Sequence, residues 1–157
     1  MEFSENILKC LKDPKEDENT DLVLEGNQFR CLQTGNAYPI EDEIPRLYVP
    51  ETGEGENITS QIKSFYETNP FPDYNGLEEF GELVNKGYTN KFTHNLLKSI
   101  GYNKLILECG CGTGQMTHFL QLNNNSTLGV DLSLSSLALA TEHKKRNKLK
   151  RAHFCQM

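Results

Sequence analysis

The feature that most constrains this chain is the run LILECGCGTG at residues 105–114, where apolar residues lead into an acid and then into alternating glycines. Its first three residues predict a strand buried on both faces, with Glu108 at the carboxyl end of that strand. Gly110, Gly112 and Gly114 favour a tight turn, because glycine adopts positive φ at little cost. The order of strand and glycine turn (residues 110–114) predicts the beginning of an α/β domain.

The spacing of the glycines separates this turn from a dinucleotide-binding turn. A G-x-G-x-x-G pattern would place its third glycine at position 115, where the chain has Gln115, the residue near which we expect a helix to begin. A second acid, Asp131, follows the next predicted strand, Ser126–Val130. A carboxylate at a strand end accepts two hydrogen bonds at once, which suits a vicinal diol.

An acid before G-x-G-x-G, with a second acid after the next strand, resembles the class I S-adenosylmethionine-dependent methyltransferases. The resemblance implies S-adenosylmethionine as cofactor, with Glu108 near its methionine end and the glycine turn beneath it. It also implies that Asp131 accepts hydrogen bonds from both ribose hydroxyls and that Leu132 lies beside the adenine. The implied fold is a partial doubly wound, Rossmann-like methyltransferase sheet in an α/β protein, with residues 102–157 as the amino-terminal half of the cofactor domain.

Other interpretations of the same residues stay open. The chain also fits a nucleotide-binding Rossmann domain, or a non-catalytic binding or scaffold protein with a degenerate copy of the site. Asp131 taken alone fits an acid at the beginning of a helix, where Asp131 or Ser133 is the cap. The sequence assigns no catalytic base, and the methyl acceptor is a small molecule, RNA or protein that the sequence does not distinguish.

The segment before the cofactor domain, residues 58–101, is predicted to be helical and to cover the site. A helix over Ile58–Thr68 should end at the two prolines of FYETNPFP, residues 65–72. This element resembles one that precedes the cofactor domain in the same methyltransferase group, and the resemblance implies that Tyr66 contacts the cofactor. Tyr66, Phe71 and Tyr74 fit simple packing of this segment against the sheet equally well.

Residues 1–50 form a separate module, joined by a polar, Gly-rich linker at 51–57. Strand patterns at 21–24 and 28–32 flank Glu-Gly-Asn and predict a β-hairpin. The stretch TGNAYPIEDEIP at 34–45 resembles the end of the Trm112-like zinc-ribbon family, which has two C-x-x-C pairs. Here Cys10 and Cys31 keep the first position of each pair and Asp13 and Thr34 replace the second, so we predict no metal.

This module is too small to bury much surface alone, so we expect it to lean on the larger domain. Five apolar residues are expected to form its packing surface: Ile7, Leu8, Ile40, Ile44 and Leu47.

Length and composition set the remaining expectations. The chain has 157 residues, a net charge of −6 and five irregularly spaced cysteines, which favours a reducing, cytoplasmic location over a disulfide framework. The pattern predicts no membrane span. Since a complete sheet of the resembled class has more strands, we expect a missing carboxyl-terminal half or a partner chain to complete it, and we expect the chain alone to be inactive.

Overall fold

The computed structural model describes residues 3–15, 20–50 and 55–157, with side chains in the last range from residue 58 onward. The helices are α1 (Glu5–Leu8), α2 (Gly55–Thr68), α3 (Phe80–Thr89), α4 (Lys91–Ile100), α5 (Gln115–Leu120) and α6 (Leu134–Arg146). The strands are β1 (Leu22–Glu25), β2 (Gln28–Cys31), β3 (Ala37–Glu41), β4 (Ile44–Pro45), β5 (Leu105–Cys109), β6 (Ser126–Asp131) and β7 (Ala152–Gln156). In the part of the chain that the structure describes, every helix is too short or too polar to span a lipid bilayer.

The local elements follow the sequence patterns closely. β1 and β2 pair antiparallel as the predicted hairpin, with Gly26 at positive φ in its turn. α5 begins at Gln115, as expected. Two differences concern the helical segment: α2 begins at Gly55, inside the predicted linker, and α3 is an additional helix. The sequence around α3 contains Gly81 and Gly87, which weaken a helical pattern.

The three strands β5, β6 and β7 form a parallel sheet in that order, with α5 and α6 as the connections. Both helices lie on one face, where Leu137 and Ala140 of α6 pack on Phe154 of β7. The register pairs Cys109 with Val130, so the carboxyl ends of β5 and β6 lie side by side. This arrangement brings the two predicted acids to the same edge of the sheet.

The opposite face of this sheet is covered by the amino-terminal module. Leu128, Val130 and Cys155 share one hydrophobic cluster with Phe3 and Ile7, so the module does lean on the larger domain. The expectation of a doubly wound sheet is therefore met on one face only among the described residues, because strands and a short helix of the module occupy the place of a second helical layer. The coarser expectation, a mixed α/β fold with a parallel sheet, is confirmed.

The prediction that residues 105–107 are buried on both faces is wrong. Leu105 and Leu107 are 43% and 60% exposed, whereas Ile106 between them packs toward the helices. β5 is the edge of the sheet, and none of the described residues covers its outer face as the module covers β6 and β7. The apolar run thus predicted the strand correctly, but the burial of its side chains depends on which elements pack against the sheet.

The end of the module is attached to the free edge of β7. The backbone N–H of Leu47 donates to the carbonyl oxygen of Gln156 at 2.9 Å, and Arg46 forms a parallel bridge with the same residue. Leu47 packs in the module's core, as expected, but Ile44 packs with Leu137 on the helical face of the sheet. The assignment of Ile44 to the module's own core was wrong because β4 lies beside β7.

Asp13 organises the part of the module that resembles a zinc ribbon. Its carboxylate accepts hydrogen bonds from the Thr34 hydroxyl at 2.8 Å, the Asn36 amide at 3.0 Å, the Lys15 backbone N–H at 3.1 Å and the Tyr38 hydroxyl. Burial alone would raise the pKa of this carboxyl, but these hydrogen bonds together lower it below its usual range. The carboxylate is engaged on all sides by hydrogen-bond donors, so these residues do not fit a zinc site.

Candidate functional site

A cavity of about 870 Å³ opens at the carboxyl ends of β5 and β6. The wall contains six of the seven residues that the sequence assigned to a cofactor: Tyr66, Glu108, Gly110, Gly112, Asp131 and Leu132. Gly114, the seventh, is buried and does not line the cavity. The structure therefore brings the predicted set together around one space, with one residue placed behind it.

The positions of the turn require glycine for two different reasons. At Gly110 a Cβ would meet nothing within 4 Å, so the backbone there is open for contact with a ligand. At Gly112 a Cβ would collide with the backbone oxygen of Phe71, and at Gly114 it would lie 2.6 Å from the ring of Phe154 and 2.9 Å from Ala140. Two of the three glycines thus serve close packing of this chain on itself.

Asp131, at the end of β6, has both carboxylate oxygens in use. One accepts from the Gly112 N–H and the other from the Ser133 N–H, each at 2.8 Å. Each oxygen keeps a free lone pair, because a carboxylate offers about four acceptor positions. Asp131 therefore braces the glycine turn and still has acceptor capacity for two hydroxyl groups.

Glu108 lies half-buried at the end of β5 and accepts a hydrogen bond from the Thr117 hydroxyl of α5. Burial raises the pKa of its carboxyl, and the nearby negative charge of Asp131 raises it further, against the opposite effect of Thr117. A carboxyl whose negative charge is disfavoured in this way provides an environment that favours a cationic group beside it.

The segment after α2 is fixed on the glycine turn by its own backbone. The Thr113 N–H donates to the Phe71 oxygen at 3.3 Å, and the buried Thr113 hydroxyl donates to the Pro72 oxygen. Tyr74 donates through its hydroxyl to the Thr113 oxygen at 2.7 Å, and the Gln115 amide donates to the Asp73 oxygen. Burial raises the pKa of Tyr74, so its phenol stays protonated and keeps this hydrogen bond.

The thiol of Cys111, in the turn, stays neutral. Burial raises the pKa of this thiol, and the charges of Glu108 and Asp131 raise it further. Cys111 is 5% exposed and packs with the helical face of the sheet.

Sequence reasoning missed one wall of the cavity. Leu83, Lys86 and Gly87 of α3 line it together with Met116 and Phe119 of α5. A Cβ at Gly87 would collide with the ring of Phe119, so the small residue lets α3 approach α5 closely. Recognition of α3 from its apolar spacing would have been the signal for this wall.

Residues 100–157 match the model of a family described as "Methyltransferase domain". The chain is 33% identical over 95 residues to the "uncharacterized phycocyanin operon protein W" of Pseudanabaena tenuis, a match that covers 57% of this chain and 90% of that protein. A structural match is the crystal structure of an S-adenosylmethionine-dependent methyltransferase from Clostridium acetobutylicum, at 20% identity and a TM-score of 0.32. That match covers 64% of this chain and 37% of the Clostridium chain.

The match to protein W extends over nearly the whole of that protein, and the methyltransferase model covers the glycine turn, β5, β6 and β7. The chain therefore belongs to the same family as protein W, and its residues 100–157 are similar to the methyltransferase domain.

Proposed function

We propose that the protein is an S-adenosylmethionine-dependent methyltransferase and that the cavity at the ends of β5 and β6 binds the cofactor. The observation that supports this most is the position of Glu108 and Asp131 on the wall of one cavity, which the open backbone of Gly110 also lines. These residues lie in the part of the chain that matches the methyltransferase domain model.

The residues present fit such a cofactor chemically. The free lone pairs of Asp131 suit the two hydroxyls of a ribose, and Leu132 offers an apolar surface beside them. The carboxyl of Glu108 suits the cationic end of the molecule, whose charge would lower its raised pKa again. When bound, S-adenosylmethionine supplies a methyl group on a positively charged sulfur for transfer to a nucleophile.

The chain's contribution to such a transfer is alignment. Displacement at a methyl carbon depends on holding the donor in one orientation while water is excluded. Asp131 fixes the glycine turn from one side, and the Phe71–Tyr74 segment fixes it from the other. The turn that would contact the cofactor is thus held before any ligand arrives, which reduces the ordering cost of binding.

The test is titration calorimetry with S-adenosylhomocysteine and its 2′-deoxy analogue. Asp131→Ala should weaken the binding of S-adenosylhomocysteine by about 2–4 kcal/mol, because charge-assisted hydrogen bonds to the ribose are lost. That variant also removes the brace on Gly112, so the deoxy analogue isolates the ribose contact. In the wild type, the analogue should bind about tenfold more weakly than S-adenosylhomocysteine. In Asp131→Ala, the two compounds should bind with equal affinity.

The exposed Asp21, which pairs with Lys12 in the module, provides a matched control. Asp21→Ala should leave both affinities unchanged. Equal discrimination against the deoxy analogue by the wild type and Asp131→Ala would reject the ribose assignment, and absence of binding by the wild type would reject the cofactor. Turnover is then tested with radiolabelled S-adenosylmethionine and separate pools of small molecules, RNA and protein.

A further inference from the structure

The carboxylate of Glu67 joins two elements that border the cavity. It lies in the last turn of α2 and accepts hydrogen bonds from the backbone N–H of Leu134 at 2.8 Å and of Ser135 at 2.9 Å. The Ser135 hydroxyl donates to the same carboxylate at 2.6 Å. The two backbone donors are N–H groups of the first turn of α6, which have no partner within the helix, and a negative charge there is also favoured by the helix dipole.

The residue next to Glu67 is held in the same place. The hydroxyl of Ser133 donates to the backbone oxygen of Tyr66 at 3.2 Å. Ser133 directly follows Asp131 and Leu132 in the chain. These two residues and Tyr66 all line the cavity. The end of α2 is thus attached beside the part of the cavity that we assign to the adenosine.

The contact is strong enough to direct α2. Burial by itself would raise the pKa of the Glu67 carboxyl, but its hydrogen bonds to Ser135 and Leu134 lower it, so it is charged near neutral pH. Hydrogen bonds to a charged acceptor are about twice as strong as neutral ones. By contrast, the cavity-facing side of α2 is loosely packed: Ile62 and Tyr66 are 48% and 44% exposed.

We propose that Glu67 is a positioning residue for cofactor binding, which docks the end of α2 on the beginning of α6 and thereby holds Tyr66 over the adenosine part of the cavity. This role rests on the proposed function above, and it adds the residue that keeps the covering helix α2 in place. Glu67 does not line the cavity, so it acts through Tyr66 and not through contact with the ligand.

The chain contains no tryptophan, so Tyr66→Trp introduces a single tryptophan at the docked end of α2, which is excited selectively over the remaining tyrosines. Its emission and its quenching by acrylamide are measured without ligand in three backgrounds: unchanged Glu67, Glu67→Gln and Glu67→Ala. Glu67→Ala should shift the emission to the red and increase quenching, because α2 leaves its place. Glu67→Gln keeps one acceptor oxygen and should give an intermediate value, which is a graded rescue that a merely structural role would not produce.

The second measurement uses Tyr66 unchanged and follows S-adenosylhomocysteine by stopped flow. Glu67→Ala should raise the dissociation rate about tenfold and Glu67→Gln about threefold, with folding confirmed by circular dichroism. Glu142→Ala is the matched control: Glu142 lies on the exposed side of α6, pairs with Arg146 and should leave both readouts unchanged.

The outcomes separate the two proposals. An unchanged fluorescence signal in folded Glu67→Ala overturns the docking role. A changed signal with an unchanged dissociation rate shows that Glu67 docks α2 without positioning a ligand, which also overturns the proposal. Absence of binding by the wild type, together with a clear fluorescence change, rejects the cofactor but leaves the docking of α2 by Glu67 established.

Discussion

At the scale of single residues, Gly114 shows that a motif glycine is not by itself a ligand contact. Its φ of +78° disfavours any other residue, and its missing side chain leaves room for the ring of Phe154 and for Ala140. Gly110 in the same turn has open space where a side chain would be. The glycines of one turn therefore have different roles. Gly114 lets the turn pack on α6 and β7, and Gly110 leaves the backbone exposed to the cavity.

Gly114→Ala should lower the free energy of unfolding by about 3 kcal/mol, since it adds an overlap to the cost of positive φ. Gly26→Ala is the matched control: its φ is +61° and a Cβ there meets nothing within 4 Å, so about 1 kcal/mol is expected. Urea unfolding followed by circular dichroism measures both. Equal losses would contradict the packing role of Gly114.

At the scale of elements, the amino-terminal module is organised by the hydrogen bonds of Asp13. Asp13 and Thr34 occupy the two positions at which the resembled zinc ribbons carry cysteine, and the structure joins them directly at 2.8 Å. Asp13 is 2% exposed and Tyr38, one of its four donors, is 4% exposed, so this part of the network is closed to water. A network of this kind is stabilising only when complete.

Asp13→Ala should therefore lower the free energy of unfolding by about 2–4 kcal/mol, because the buried Tyr38 hydroxyl and three further donors lose this acceptor. Asp21→Ala, at an exposed ion pair, should change it by less than about 0.5 kcal/mol. Thermal unfolding of the wild type should be the same with and without a chelator. A melting temperature that falls on chelation, with stoichiometric zinc by elemental analysis, would contradict the metal-free network.

At the scale of the whole molecule, three buried histidines make the stability of the fold depend on pH. Burial lowers the pKa of His118 to about 3, with a further contribution from His143 close by, and burial lowers the pKa of His153 to about 4. The Nδ1 atoms of all three have no hydrogen-bond partner within the described part of the chain. Each ring is therefore held neutral in a place where a proton would be costly.

The sign of the pH dependence follows from these values. The unfolded chain binds a proton at about pH 6.5 and folded His118 only near pH 3, so stability is complete above about pH 6.5 and is lost as the pH falls through this window. Glu108, whose pKa is raised on folding, works in the opposite direction, because it adds stability as the pH falls through its folded-state pKa. A single variant therefore isolates the histidine contribution better than the wild-type profile.

His118→Gln keeps a donor to the Ala140 oxygen and removes the titrating group. Between pH 7 and pH 5 the wild type should lose about 2 kcal/mol more of its free energy of unfolding than this variant. The exposed His94 is the control, and His94→Gln should follow the wild-type profile. Parallel profiles for the wild type and His118→Gln would show that His118 is not held neutral by burial.

Much of the local structure was determined by the sequence alone. The glycine turn, the beginning of α5 at Gln115 and the hairpin around Gly26 follow from backbone rules that involve only neighbouring residues. The placement of the two acids at one edge of the sheet also followed, since adjacent parallel strands have their carboxyl ends at the same edge. The roles of Asp131 toward a ribose and of Glu108 toward a methionine end stay predictions.

Only the tertiary structure decided what covers the sheet and which side chains act through others. The exposure of Leu107, the place of Ile44 beside β7 and the contact of Glu67 with α6 depend on residues far away in the chain, 67 positions in the case of Glu67 and Leu134. The periodicity of a sequence indicates which side of an element is apolar. Whether that side is buried depends on a second element that packs against it, and this partner is determined only when the whole chain folds.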